Sequence, residues 1–447
     1  MRRPSSQIDA SRVVWIRRVR RYVTTPMSLK GKGRNQAGVA LVMVLVTLAL
    51  ITITTQQFVY KAEINYASAK NMADELKAEY LARSVVNLSR LLFKVQDKVI
   101  DRNRTFLGDL QLTDYMDILV PIFFGQGSEL LSGMIGVDPK DIQGLDFKKG
   151  YGHAFLAGKP EAEDGKININ CAYVHSDQDP QVVQLVASLR ALFADRRYDF
   201  LFEEQDAQGN YNDRDTVMRA LIDYVDTDHV MFGQSSAAED YGYQSLDDRY
   251  EAKNNIVDSV EELRLVRGVT DDFWANFGPS LTVYGQCIPN LCAIPDDNWI
   301  LVAALLYQTA ANPGDPVFLN PIALRALSQT VLQQVKMTGC NNLNAFVSAA
   351  KNPLPIGQLM SGLMGGSMSQ PQPDSGNQDT VVGTLEGIEL DPAKVSKAVY
   401  MGPRRYYKIV AVGQSGRVTK TITAVWDQQF RSPSTGKLGA FVYWKER

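Results

Sequence analysis

The sequence predicts an α+β protein: a long N-terminal transmembrane helix, a large and mainly helical middle, and an antiparallel sheet at the C-terminal end. Three observations carry this. Val39 to Tyr60 runs for twenty-two residues without a charge. Lys61 to Lys98 holds no Pro or Gly and repeats its apolar residues at helical spacing. Arg405 to Gly413 and Arg417 to Trp426 flank the turn Gln414-Ser415-Gly416, which is a hairpin signal.

The Val39–Tyr60 run would be about 33 Å long as a helix, enough to span the hydrocarbon of a bilayer. Globular cores rarely hold so many uncharged residues in line, which disfavours a buried core helix. A cleaved secretory signal would need a small-residue site close behind the run, but Ala67-Ser68-Ala69 lies well downstream, past two charges. Charge is divided by the run. Residues 1–38 carry ten basic residues and one acidic residue, Asp9, whereas the remainder carries 37 basic and 48 acidic residues, a balance of −11. Basic before and acidic after predicts a cytoplasmic N-terminus and an exported C-terminal body. The acidic body argues against nucleic acid as a partner. A start at Met27 would shorten the leader to a compact basic segment; otherwise residues 1–26 are a basic cytoplasmic extension.

Beyond the membrane, the apolar residues Ile64, Met72, Leu76, Leu81, Val85, Leu88 and Leu92 continue the helix to about Lys98. Lys166 to Asn170 alternates as a strand after the turn Glu161–Gly165. Pro180–Arg197, Asp215–Val225, Trp299–Gln308 and Pro321–Met337 read as helices, and Leu281–Tyr284 as a short strand. Residues 352–380, rich in Pro, Gly, Ser, Gln and Met, read as a linker. Phe441–Trp444 supplies a last strand.

No catalytic motif stands out, so an enzyme is not expected. Carboxylates gather in one stretch: Asp226 and Asp228 two apart at a helix end, then Glu239 and Asp240 after a Gly/Ser-containing loop. Ca²⁺ takes six to eight oxygens, and carboxylates brought together from two sides of a loop provide them, though a solvated acidic loop or helix-capping aspartates would look the same. The three histidines are scattered, which disfavours zinc. Of the four cysteines, Cys287 and Cys292 stand close enough for a small loop disulfide, although spacing alone leaves the pairing open. Val260–Gly268 has the outline of a helix-hairpin-helix turn, but it lacks the second Gly, and Asp271 and Asp272 would repel a phosphate.

Two resemblances follow. The junction Gly38-Val39 ahead of the apolar helix resembles the prepilin peptidase site of type IV pilins and pseudopilins. The resemblance implies cutting after Gly38 and a mature, methylated N-terminus at Val39. Val39 stands where Phe or Met is usual. The family's fifth mature residue is usually glutamate and here is Met43, a departure shared by the large minor pseudopilin of type II secretion, the protein K family. The segments 78–84 and 164–170 also resemble that family. So does the order Leu221-Ile222-Asp223-Tyr224-Val225-Asp226-Thr227-Asp228, then Ala238-Glu239-Asp240-Tyr241, Asn254-Asn255 and Ser259–Gly268. Tyr224 replaces the usual Trp, and Ala237 the usual Gly. The family's segment after the short strand is replaced by Cys287–Ala293.

The resemblance implies a pilin-like sheet on the long helix with an inserted helical domain. The expected divisions are a leader (1–38), a membrane helix (39–60), its continuation (61–98), a pilin-like part (99–174), an insertion (175–285), a helical extension (286–351), the linker (352–380) and the C-terminal strands (381–447). It also implies a tip subunit that initiates or caps the pseudopilus, and structural Ca²⁺ in the insertion. The implied partners are the other minor pseudopilins in a heterotrimer, the major pseudopilin, the prepilin peptidase and the inner membrane. The alternative is a membrane-anchored minor pilin or binding protein that recognises secreted substrate or DNA.

Overall fold

The computed structural model describes residues 36–100, 111–124, 152–174, 176–203, 211–234, 237–239, 243, 250–338, 340, 342–354, 385–431 and 438–447. It divides into two units, residues 1–70 and 71–447. In the first, the described residues belong to helix α1, Gln36–Val95. Among the described residues this is the one helix long and apolar enough to cross a membrane, and its most apolar stretch buries nothing. Three threonines cover their hydroxyls on the preceding turn, Thr47 on Val44 O, Thr52 on Leu48 O and Thr54 on Leu50 O, so the run adds no unsatisfied hydroxyl there.

In the second unit, the far half of α1 lies on an antiparallel sheet. Strands β1 (His153–Leu156), β5 (Tyr406–Ser415), β6 (Val418–Arg431) and β7 (Leu438–Glu446) pair in that order, and β2 (Glu161–Ala162) pairs with β5 beside β1. The expected hairpin and last strand are therefore present, in register from Tyr406↔Asp427 to Ser415↔Val418. Ala78, Ala82, Val85 and Phe93 are fully buried against Ile409, Ala411, Ile422 and Ala424. Phe93 stacks on Tyr407 with ring centroids 4.2 Å apart. The helix crosses β5 at Gly413, where an added Cβ would lie 2.0 Å from Ala78 O. Only glycine lets the two backbones approach so closely. Helix α2 (Met116–Phe123) adds Met116 and Val120 to the same core.

A second core is helical. It is built from α3 (Pro180–Leu192), α4 (Arg214–Asp223), α5 (Asp271–Phe277), α6 (Trp299–Thr309), α7 (Pro321–Met337), α8 (Leu343–Lys351) and α9 (Pro392–Ala398). Phe193, Phe202, Phe273 and Phe277 interlock at its centre, edge to face or tilted. The helix starts are locally encoded: Asp179, Asp213, Thr270, Asn298, Asn320, Asn342 and Asp391 each accept a first-turn amide. The expected strand at Lys166–Asn170 is shorter, β3 (Ile167–Asn168). It pairs in parallel with β4 (Leu281–Thr282), and the chain then curls into a 3₁₀ turn capped by the Asn168 side chain.

Residues 161–168 join the two cores. Lys166 Nζ donates to Glu163 at 2.9 Å and to Glu161 at 3.0 Å, and Thr282 Oγ1 donates to Glu163 at 2.6 Å. The next carboxylate, Asp164, accepts the backbone amides of Arg405 and Tyr406 at the start of β5. Buried charge is tolerated here because every member is paired.

The cysteines pair differently from expectation. Cys287 bonds Cys171 and Cys292 bonds Cys340, not each other. Asn290, midway between Cys287 and Cys292, is anchored by its amide on Asp164 O and by its side chain on Gly402 O. The short segment is thus held as a strap, and each cysteine reaches a different element. The expected linker overlaps residues 355–384, which lie outside the described residues.

Candidate metal centre

Helix α4 starts at Asp213, whose carboxylate takes the Thr216 amide at 2.7 Å, and it buries Val217, Leu221 and Ile222. That face fixes the helix on the aromatic core, so its last turn delivers Asp223 and then Asp226 to a defined place. The chain then folds back. Val230 bridges Ala238 in antiparallel fashion, and Met231 N donates to Ala237 O. This return sets Glu239 beside the helix end.

Carboxylate oxygens of Asp226, Asp228 and Glu239 all lie within 4.8 Å of one another. Asp226 and Glu239 are each only 5% exposed, whereas Asp228 is exposed. Asp240, the fourth expected residue, lies outside the described residues. Two aspartates not expected at the site border it. Asp223, 4% exposed, accepts the Phe232 amide at 2.7 Å, and Asp177 accepts the Gly233 amide at 3.2 Å. Asp223 precedes Asp226 by one helical turn, a signal visible in the sequence; nothing local marks Asp177. Asn254, in the left-handed region at φ 48°, donates to Asp228 O at 2.6 Å and contacts His229 Nδ1 at 2.7 Å, closing the far side.

The electrostatics are unbalanced. Burial, then the charges of Glu239 and Asp223, push Asp226 up to about 8. Burial and the charge of Asp223 push Glu239 up to about 8. Asp223 is pushed up to about 7 by burial, with the Phe232 amide working against the shift. Among the described residues, Asp226 Oδ1 and both carboxylate oxygens of Glu239 are buried without a hydrogen-bond partner. Among the described residues no Lys or Arg forms an ion pair with either side chain. Buried, unpartnered anionic oxygens converging on one point fit a hard cation with oxygen ligands. The residues present therefore suit Ca²⁺; with no thiolate or imidazole among the three, they do not suit a structural zinc site.

The remaining sequence-predicted site, Gly38 and Val39, lies in the exposed first turns of α1, which begins at Gln36. The helix-hairpin-helix outline becomes a 3₁₀ turn at Val260–Leu265 followed by α5. Arg264 is engaged with Asp271, which further weakens a phosphate-binding reading.

Comparison with known proteins places this geometry. Residues 165–286 match the family model described as type II secretion system (T2SS), protein K; the match spans α3, α4, α5, β3, β4 and the acidic cluster. The type II secretion system protein K of Pectobacterium carotovorum subsp. carotovorum is 27% identical over 130 residues, covering 29% of this chain and 36% of that relative. Among solved structures, a chain in the GspK-GspI-GspJ complex from the enterotoxigenic Escherichia coli Type 2 Secretion System aligns with a TM-score of 0.43 and 13% identity, over 67% of this chain and 82% of that one. Residues 165–286 are thus similar to the type II secretion system protein K family.

Proposed function

We propose that this chain is a minor pseudopilin at the tip of a type II secretion pseudopilus, where it initiates or caps assembly for export of folded proteins across the outer membrane. One combination carries the reading. A protein K domain lies in a chain whose apolar N-terminal helix is followed by an antiparallel sheet onto which that same helix folds its far half. The apolar half would bundle with the helices of neighbouring subunits by packing in lipid. Met43, five residues into a chain cut after Gly38, cannot neutralise a neighbour's N-terminal amine, as a subunit with no neighbour above it would not need to. The partners are the other minor pseudopilins and the major pseudopilin, and the prepilin peptidase is the processing enzyme. The basic leader stays in the cytoplasm and the body lies in the periplasm, a compartment whose oxidising chemistry suits two disulfides.

Ca²⁺ would be held by Asp226, Asp228 and Glu239, with Asp223 behind them. It would supply positive charge that cancels their repulsion. The side chains tie the end of α4 to the returning loop. The role is structural, and no catalytic role is proposed.

The test is intact mass and N-terminal sequencing of the membrane-extracted protein, with and without the prepilin peptidase. A peptidase-dependent N-terminus at Val39 is expected. An uncut chain in the presence of the peptidase sinks the reading and leaves a single-pass anchor.

A further inference from the structure

On the helical core, away from the acidic cluster, a cavity of about 280 Å³ opens between the end of α3, the turn at 194–197, one side of α6 and residues 313–324. Its apolar wall is aromatic. Trp299 and Tyr307 stand two turns apart on α6, and Phe318 meets the Tyr307 ring edge-on at 5.2 Å. Leu319, which lines it, is 73% exposed.

The charges around it are unequally spent. Asp195 is held by Arg197, and Asp315 caps the Val317 amide at 3.0 Å. Arg196, which lines the cavity, has no carboxylate partner among the described residues. Arg325 has none there either; it stacks on Trp299 with its guanidinium 5.6 Å from the ring centre. The anions are thus engaged and two guanidinium groups are free. A cavity near the floor of the small-molecule range, roughly 300–1,000 Å³, takes an apolar side chain more readily than a whole ligand. A concave aromatic pocket also gives a flat lipid surface nothing to fill it.

We propose that this cavity is a docking site for a partner protein segment that inserts one large apolar side chain between flanking carboxylates, which Arg196 and Arg325 receive. Trp, Tyr and Arg at the centre and rim are the residue types that dominate binding energy at protein interfaces. The bound segment would be released by salt, since both guanidinium groups face solvent.

The test uses the full chain in phosphatidylcholine nanodiscs, labelled with 5-fluorotryptophan and read by ¹⁹F NMR. The Trp299 resonance is assigned with Trp299→Phe. Acetyl-Asp-Phe-Asp-amide is expected to shift that resonance saturably, and acetyl-Lys-Phe-Lys-amide and acetyl-Asp-Ala-Asp-amide to bind at least tenfold more weakly. Arg196→Glu combined with Arg325→Glu, both at exposed positions, should weaken the first peptide at least tenfold with an unchanged far-UV spectrum. Equal binding of the lysine peptide, no shift at Trp299, or an indifferent double variant overturns the proposal. Benzoate saturating the site as tightly as the peptide makes it a small-carboxylate site instead. A Trp299 shift produced only by adding phosphatidylglycerol to the nanodiscs makes it a lipid contact. Either outcome also overturns the proposal.

Discussion

The sheet core and the helical core are held in different ways. In the first, α1 lies on β5 and β6 through small and aromatic side chains, and charged groups are paired, as in Lys420 with Glu75 at the rim and Arg405 with the buried Asp427. In the second, two disulfides tie distant segments, and the buried carboxylates of Asp226 and Glu239 form no ion pair among the described residues. One core is complete from its own side chains. The other is complete only when something outside the polypeptide balances Asp226 and Glu239. Stability should therefore respond to packing changes in the first core, and to redox state, divalent cation and pH in the second.

The largest effect expected is Phe93→Ala. It removes a fully buried ring stacked on Tyr407 and should destabilise the sheet core by about 3–5 kcal/mol. Guanidinium melts of the detergent-solubilised chain, followed by near-UV dichroism, would show it. A cost below about 1 kcal/mol would mean that the helix does not depend on this contact. Next comes Cys171→Ser with Cys287→Ser. The bond closes a sequence separation of 116 residues, and losing it should cost about 2–4 kcal/mol. Those melts should match the wild type once both are reduced at that bond, which separates loss of the cross-link from a packing defect.

Chelation should come third. If the cluster takes Ca²⁺ at 100 times its dissociation constant, removing the ion costs about 2.7 kcal/mol. The melting temperature should fall with chelator and recover on adding Ca²⁺ in the wild type, but not in Asp226→Asn combined with Glu239→Gln. An unchanged melt in the wild type would leave the cluster as an acidic pocket without an ion.

These two regions were not equally legible in the sequence. The apolar half of α1 follows from an uncharged run, and its packed half from 3.6-residue periodicity. The β5–β6 hairpin follows from two strand-forming runs around the turn at Gly416, and α7 from Asn320 and Pro321 at its start. All are local signals. What depended on distant partners was hidden. Lys166–Asn170 alternates for five residues, but its partner Leu281–Thr282 supports pairing over only two. The cysteine pairing turned on how Asn290 is anchored, which no spacing reveals. Asp226, Asp228 and Glu239 were legible because their motif keeps them near one loop; Asp223, one helical turn before Asp226, carried the same local signal, whereas Asp177 was hidden by its distance along the chain.

The pH response is the most specific. With chelator present, the carboxyls of Asp226 and Glu239 have folded values near 8 against ordinary values near 4. Below about pH 4 they are protonated in both states and cost the fold nothing. As pH rises toward 8 the unfolded chain releases its protons first, so the folded state binds more protons and loses stability relative to it. Stability of the cation-free protein should thus decline from about pH 4 to pH 8, against the usual tendency of paired carboxylates to stabilise a fold over that range. Asp226→Asn with Glu239→Gln should flatten the decline while leaving Phe93 and the sheet core untouched. Added Ca²⁺ should flatten it in the wild type by favouring the ionised form. A cation-free protein whose stability rises steadily over this interval would show that the cluster carries no buried repulsion, and the contrast between a self-sufficient core and a cation-dependent one would collapse.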